Sequence, residues 1–198
     1  MRVLIAEDDP VIALALAERV RSLGHEPIGP AADGHEAIEL AHARLPDLYL
    51  FDIGLPGIDG LQAATRLAHE GVRRPVVVIT GADDPELIER SIASGVSAYL
   101  TKPVDTRALQ AAIDLAAARH AELVALEAEV GRAEQALEDR KVVERAKGLL
   151  MTALDLSEQD AFRRLQQTAR ERNLRLADVA ARIVEQQSLL APKRTARR

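Results

Sequence analysis

The first 104 residues repeat one unit five times: a short apolar run followed by an amphipathic helical pattern. Each apolar run has the length of a strand, and the five runs are RVLIA, EPIGPA, DLYLF, RPVVVIT and SAYLT. Strands that alternate with helices in this way pair in parallel through right-handed crossovers, and helices then cover both faces of the sheet. The sequence therefore predicts an α/β fold with a five-stranded, parallel, doubly wound sheet.

Helical patterns follow each of the five runs. The first begins at Asp9 or Pro10 and stops at Gly24, and the last begins near Asp105. The three patterns between them are DGHEAIELAHARL, GLQAATRLAHEG and DPELIERSIASG. Their lengths are those of ordinary helices that pack on a sheet.

The composition excludes several classes of protein. The chain contains no cysteine, which rules out disulfides and thiolate metal sites and fits a reducing compartment. No window approaches the roughly 18 consecutive apolar residues of a membrane span. The segment MRVLIAEDDP places three acids directly after its apolar residues, which is not the pattern of a signal peptide. We therefore expect a cytoplasmic protein with no membrane partner.

Charge is divided unevenly along the chain. Residues 1–131 hold eleven basic and twenty-one acidic residues, a net charge of −10, whereas residues 132–198 hold fifteen and ten, a net charge of +5. An acidic N-terminal part indicates a cation site, and a basic C-terminal part indicates an anionic partner. Chance variation of surface charge is the alternative explanation.

The character of the chain changes after Pro103. No proline and no strand-like run occurs between Val104 and Ala191, and residues 106–154 read as one long helix. Its middle carries apolar residues at steps of three and four, namely Leu123, Leu126, Val130, Ala133 and Leu137. This heptad seam predicts a coiled-coil segment over residues 105–136 that pairs with a second chain. A hairpin folded back within the same chain is the alternative.

Two shorter helical patterns follow the long one. Ser157 and Asp160 stand at capping-box spacing and begin the first, and the segment RLADVAARIVEQQ supplies the second. Together with the end of the long helix they predict a small three-helix output domain over residues 137–190. The basic tail, residues 191–198, is expected to be disordered.

Polar residues stand at the carboxyl ends of four predicted strands, where parallel strands present them at one edge of the sheet. They are Glu7, Asp8, Asp52, Thr80 and Lys102. Three carboxylates at one place repel one another unless a hard divalent cation joins them, and Mg²⁺ fits oxygen ligands of this kind. Asp8–Asp9 is a second possible acid pair, but we prefer Glu7–Asp8 because Asp9 is well placed to begin the first helix.

This set of side chains suits in-line phosphoryl transfer to a carboxylate. The chemistry needs a nucleophilic carboxylate, a cation that bridges oxygens, and an ammonium and a hydroxyl that hold the remaining charge. Taken singly, each residue has an ordinary structural explanation, such as helix capping or a solvated loop position. The joint occurrence of all five at strand ends favours the functional interpretation.

The segments VLIAEDDP, DIGLPGIDG, VVVITG and AYLTKPV resemble the motifs of two-component response-regulator receiver domains. The resemblance covers residues 1–120 and implies a flavodoxin-like fold. It also implies that Asp52 accepts a phosphoryl group from a cognate sensor histidine kinase. Glu7, Asp8 and the Gly54 carbonyl would then bind Mg²⁺.

The same resemblance implies roles for three residues on the last strands. Thr80 and Lys102 would contact the phosphoryl group, and Tyr99 would change rotamer with Thr80. It also implies a cis peptide between Lys102 and Pro103. One departure is Gly81, where the family usually has another small residue, and this departure bears on the lifetime of the acyl phosphate.

The segments RKVVERAKGLLM, DAFRRLQQTARERN and LADVAARIV resemble the ANTAR domain of transcription-antitermination regulators, over residues 137–187. The resemblance implies binding of RNA hairpins. Together with the heptad seam, the receiver resemblance leads us to expect a homodimer that forms on phosphorylation. The candidate RNA-binding residues are Lys141, Arg145, Lys147, Gly148, Arg163 and Arg164. Gln166 departs from the family, which often has arginine there. We expect Gly148 to allow close approach of another helix or backbone, and Phe162 to lie in the core.

Two other functions are compatible with parts of the sequence. The two C-terminal helices can imitate a DNA-binding helix-turn-helix, although no glycine-containing turn joins them and ERAKGLLM stays unexplained. An Mg²⁺-dependent phosphatase with an aspartyl intermediate would use the same strand ends. Such enzymes generally need a second acid two residues beyond the nucleophile, and that position is Gly54. We therefore predict a regulator and not an enzyme beyond its own aspartyl phosphorylation.

Overall fold

A computed structural model describes residues 1–81 and 96–190. The helix predicted over DPELIERSIASG and the basic tail lie outside the described residues. Contacts divide the chain into two units, Met1–Ala125 and Leu126–Arg198, and each is described by itself. Within the described residues, no helix is both long enough and apolar enough to cross a membrane.

The first unit is built on one five-stranded parallel sheet in the order β2-β1-β3-β4-β5. The strands are β1 Arg2–Ala6, β2 Glu26–Ala31, β3 Leu48–Asp52, β4 Val76–Thr80 and β5 Ala98–Thr101. This is the order of flavodoxin-like folds, in which the direction of winding reverses between β1 and β3. The α/β prediction and the parallel sheet are confirmed, and the reversal places a crevice at the carboxyl ends of these two strands.

The described residues form six helices. They are α1 Pro10–Ser22, α2 Gly34–Arg44, α3 Gly60–His69, α4 Thr106–Leu154, α5 Glu158–Arg172 and α6 Leu176–Leu190. Aspartates cap the first three helices: Asp9, Asp33 and Asp59 accept hydrogen bonds from backbone N–H groups of the first turn. Each cap satisfies donors that have no partner within the helix.

The strands of the first unit divide their side chains between two cores. Leu4, Phe51 and Val78 belong to one core, which also contains side chains of α2 and α3. Ile5 and Leu50 belong to the other, together with side chains of α1 and the first turns of α4. Every residue of β3 and β4 is buried, as expected for central strands covered on both faces. Their carboxyl ends are therefore held firmly from both sides.

The long helix α4 is unbroken from Thr106 to Leu154, so the hairpin alternative is wrong. In the second unit its seam residues Leu126, Val130 and Leu137 are 58%, 49% and 56% exposed. The core of this unit lies elsewhere and is formed by Ala146 of α4 with side chains of α5 and α6. The described part of the second unit therefore does not cover the seam. Its three helices pack together through other residues.

Candidate functional site

The crevice of the first unit gathers polar side chains that are far apart in the sequence. Glu7, Asp52 and Thr80 are the buried polar or charged residues found among the described residues. Asp52 ends β3, and its ladder partner on β4 is Ile79, so Thr80 follows immediately on the neighbouring strand. Lys102 comes directly after β5, and its backbone N–H donates to the Thr80 carbonyl at 2.8 Å.

The Lys102 ammonium joins two of the carboxylates. Its Nζ donates to Asp52 Oδ2 at 2.9 Å and to Glu7 Oε1 at 3.0 Å. Glu7 Oε2 also lies 2.9 Å from Nζ, but the geometry of that contact is an ion pair without a hydrogen bond. Both oxygens of the buried Glu7 carboxylate therefore lie against the same ammonium.

Glu7, Asp8 and Asp52 each offer a carboxylate oxygen within 4.8 Å of the others. Asp9 caps α1 instead, because its Oδ1 accepts hydrogen bonds from Val11 N at 2.8 Å and Ile12 N at 3.1 Å. This geometry favours the Glu7–Asp8 pair over Asp8–Asp9. Three oxygen donors of this kind form the coordination that hard divalent cations prefer.

The charges in the crevice perturb one another. Burial raises the pKa of the Glu7 carboxyl, and the hydrogen bond from Lys102 only partly opposes that rise. Burial lowers the pKa of the Lys102 ammonium, but hydrogen bonds to Glu7 and Asp52 outweigh it and leave that pKa above its ordinary value. Lys102 therefore carries a fixed positive charge at neutral pH beside an acid whose ionised form is disfavoured by burial.

Gly60 belongs to the site for a reason that the sequence analysis missed. A Cβ atom at this position would overlap the backbone carbonyl oxygen of Asp52 and press on the Phe51 side chain. Gly60 opens α3 immediately after its capping residue Asp59, so the helix begins directly against the end of β3. The Asp-Gly pair after an apolar strand was the available signal, and its meaning depends on this close approach.

The remaining candidate residues lie around the crevice. Tyr99 on β5 is 50% exposed, and among the described residues no heavy atom lies within 4 Å of the Cβ position at Gly81. A Cβ on Gly54 would lie 3.5 Å from Asp52 Oδ2. The Lys102–Pro103 peptide is cis, as the resemblance implied. The roles assigned to these residues from the sequence stay predictions.

The candidate RNA-binding residues of the second unit are mostly exposed. Arg145, Gly148 and Arg164 are exposed, and the ion pairs of Lys141 and Arg163 join acids three residues away, Glu138 at 3.3 Å and Asp160 at 3.0 Å. Lys147 differs from them. Its side chain is 12% exposed, and its Nζ lies 2.6 Å from Glu144 and 2.7 Å from Glu158.

One expectation for this unit is wrong, and a second is not met within the described chain. Phe162 is 37% exposed and stands outside the core, because Ala161, Leu165 and Ala169 form the buried stripe of α5. Gly148 is not approached by another element of the described chain, since a Cβ there would meet nothing within 4 Å. Both residues are therefore available at the surface of the second unit.

Comparisons with known families agree with the motifs. The family described as the response regulator receiver domain matches residues 3–114, and the ANTAR domain matches residues 131–184. Both matches confirm the two resemblances drawn from the sequence. The receiver match alone spans more than half of the chain.

Some relatives match nearly the whole chain, and others match only a little more than half of it. The transcriptional regulatory protein PdtaR of Mycobacterium tuberculosis is 44% identical over 194 residues, which are 98% of this chain and 93% of that protein. The transcriptional regulatory protein AfsQ1 of Streptomyces coelicolor is 34% identical over 56% of this chain and 48% of its own length. Among solved structures, the signal receiver domain of a modulated diguanylate cyclase from Desulfovibrio desulfuricans aligns with a TM-score of 0.55. It is 35% identical and covers 60% of this chain and 94% of that domain.

Proposed function

This chain belongs to the response regulators that join a receiver domain to an ANTAR domain, and from that premise we propose that it is a phosphorylation-controlled, RNA-binding antitermination regulator. The observation that carries the proposal is the contact of the Lys102 ammonium with Asp52 and Glu7 at the crevice. A buried carboxylate next to a fixed cation and a cluster of acids is the arrangement that aspartyl phosphorylation needs.

The acids of the crevice fit a magnesium ion. Glu7, Asp8 and Asp52 would hold it through carboxylate oxygens, with the Gly54 carbonyl as a further ligand, and the separation of at most 4.8 Å between the three carboxylates supports this assignment. The ion would supply positive charge that neutralises the phosphoryl oxygens and the acids together. All other steps belong to side chains of the chain itself.

In the transfer step, a carboxylate oxygen of Asp52 forms a bond to phosphorus as the bond between phosphorus and the imidazole nitrogen of the donor kinase breaks. The electron pair of the broken bond stays on that nitrogen. Lys102 holds Asp52 in place before the reaction and stabilises negative charge on the phosphoryl group afterwards. Thr80, at the end of the adjacent strand, would donate its hydroxyl hydrogen to a phosphoryl oxygen.

Phosphorylation is proposed to bias the pairing of two chains. Movement of Thr80 toward the phosphoryl group would leave room for Tyr99 to turn inward from its half-exposed position. The altered surface of β5 and the start of α4 would then favour a homodimer. The exposed seam residues Leu126, Val130 and Leu137 have the heptad spacing for a coiled coil with a second copy. Two paired output domains would bind two RNA hairpins.

The experiment compares wild type with Asp52→Asn, each with and without acetyl phosphate and Mg²⁺. RNA-hairpin binding is measured by gel shift and oligomeric state by sedimentation. We expect acetyl phosphate to increase both dimer fraction and RNA affinity in wild type and to leave Asp52→Asn unchanged. Equal affinity and equal oligomeric state in all four samples would contradict control by phosphorylation.

A DNA-binding output is the second candidate, and one observation favours it. Asn173 caps α5 in the left-handed conformation, with φ of 51°, and α6 begins three residues later. Asparagine here does what glycine does in a helix-turn-helix, so a short turn between the helices does exist. Competition of duplex DNA against hairpin RNA for the phosphorylated protein distinguishes the two outputs.

A further inference from the structure

A groove of about 340 Å³ lies between α4 and α5 in the second unit. Its lining consists of Glu144 and Lys147 from α4 and of Glu158, Gln159 and Phe162 from α5. The groove is separate from the buried core of the unit, which is formed by Ala146, Leu165 and their neighbours. It therefore provides space that packing of the three helices does not fill.

Phe162 is an unusual residue to find at such a groove. It is the only aromatic residue after position 99, and 37% of it is exposed. Residues of α5 next to it in the sequence and one turn away, Ala161 and Leu165, are fully buried, so the helix packs without the ring. An exposed phenyl ring forgoes hydrophobic burial that a binding partner can recover.

The polar side of the groove is fixed by ion pairs. Lys147 Nζ lies 2.6 Å from Glu144 Oε2 and 2.7 Å from Glu158 Oε1, and its side chain is only 12% exposed. The three groups hold one another, which reduces the conformational freedom of the ammonium and of both carboxylates. Donors and acceptors are thus presented together beside an aromatic face.

We propose that this groove receives one unstacked nucleobase of the bound RNA. The base stacks on the Phe162 ring, and its edge forms hydrogen bonds with the Lys147 ammonium and the Glu158 carboxylate. The inference rests on the proposed RNA-binding function and assigns it a base-recognition site. Contacts to the phosphates fall instead to the exposed Arg145, Arg163 and Arg164 around the groove.

The chemistry of the groove favours a base over other occupants. A phosphate would meet two carboxylates that flank the single ammonium, and their charge would repel it. An aliphatic side chain of a protein partner would cover Phe162 but would also take water from the Glu144 and Glu158 carboxylates, which are 56% and 70% exposed, without offering them a hydrogen bond in return. A nucleobase is neutral, has a π-face, and carries both donors and acceptors on its edge.

The first experiment uses the full-length protein, treated with acetyl phosphate, and a pool of RNA hairpins with one stem and randomised loops. Phe162→Leu keeps apolar bulk but removes the π-face, and Phe162→Tyr keeps the ring. We expect Phe162→Leu to lose roughly tenfold or more in affinity, and Phe162→Tyr to bind as wild type does. Glu158→Gln should change which loop base the selection enriches and leave the salt dependence of binding unchanged.

The outcomes separate the groove from the proposed function. Salt-sensitive RNA binding by wild type that Phe162→Leu leaves intact overturns the groove alone and leaves a protein partner as the explanation of the exposed ring. Absence of RNA binding by wild type overturns both. Circular dichroism checks that Phe162→Leu is folded. If it is not, photo-crosslinking of wild type decides, with each loop base of a selected hairpin replaced in turn by its photoreactive analogue (a 5-iodo pyrimidine or an 8-azido purine). The groove requires a crosslink at Phe162 from one of these positions, and its absence from all of them overturns the proposal.

Discussion

Two lysines, Lys102 in the first unit and Lys141 in the second, are held by their acidic partners in opposite ways. At the crevice, Lys102 contacts Glu7 and Asp52, which are 95 and 50 residues away in the sequence, and both carboxylates are buried. In the second unit, Lys141 pairs with Glu138 only three residues away, and both side chains are more than 60% exposed. The first arrangement exists only in the folded chain, whereas a single helical turn produces the second.

The difference shows where removing one partner of an ion pair costs the most free energy of unfolding. Buried charges depend on one another because water cannot replace a lost partner, whereas exposed charges are solvated with or without their partner. A crevice of the first kind is suited to a ligand that adds charge at one point. A helix surface of the second kind is suited to a long anionic partner that contacts many weak points.

The largest expected effect comes from Lys102→Met, which leaves two buried carboxylates without their cation. We expect the free energy of unfolding to fall by roughly 3 kcal/mol. This value is the lower end of the range for removing one partner of a buried ion pair, because the Lys102 side chain is 21% exposed. Urea denaturation in EDTA measures it. Lys141→Met is the matched control and should cost less than about 0.5 kcal/mol. Equal costs for the two variants would refute the contrast.

Gly60→Ala should have the next largest effect, because the new methyl group overlaps the carbonyl oxygen of Asp52. We expect a loss of about 1–3 kcal/mol in unfolding free energy, as for other overpacked sites, and slower phosphorylation of Asp52 by acetyl phosphate. Phosphate incorporation and urea denaturation are the measurements. Gly131→Ala on α4, whose new methyl group would meet nothing within 4 Å among the described residues, is the control, and identical behaviour of the two variants would exclude a special role for Gly60.

Substitutions beside the coiled-coil seam should have a smaller effect, and they should strengthen an interaction instead of weakening one. With Val130 at position a of the heptad, Glu129 and Glu134 occupy g and e and would face each other across the proposed dimer if its helices are parallel. Replacing both by glutamine should strengthen self-association roughly fivefold, since two exposed like-charge contacts cost about 0.5 kcal/mol each. Sedimentation equilibrium tests this, with Glu171→Gln as control. A weaker dimer in the double variant would argue against parallel pairing in this register.

The smallest effect is expected from Lys141→Gln on RNA binding. Under the proposed function Lys141 contacts a phosphate, so its loss should weaken binding evenly across hairpins and reduce the slope of log affinity against log salt by about one. Binding titrations over a series of salt concentrations measure that slope. A change in loop preference instead would mean that Lys141 contacts a base.

The parts of the fold and site that follow from the sequence are those with local signals. The alternation of apolar runs and helices gave the parallel sheet, and the position of Asp52 at the end of a fully apolar run placed it at the carboxyl edge. Phe162 could not be placed in this way, because it lies next to the apolar stripe of α5 and only the packing of α4 and α6 decides which edge is covered. The ion pair between Lys147 and Glu158 likewise depends on how α5 returns beside α4.

The sequence by itself determined the periodic patterns, the caps such as Asp9, and the residues available at each strand end, because these depend on interactions within a few residues. Tertiary structure decided the strand order β2-β1-β3-β4-β5 and the meeting of Lys102 with Glu7 and Asp52. It also decided the close approach that requires Gly60. The physical reason is range: local hydrogen bonding and periodicity are encoded in neighbouring residues. Contacts between distant segments arise only when burial of the two cores fixes how the elements pack.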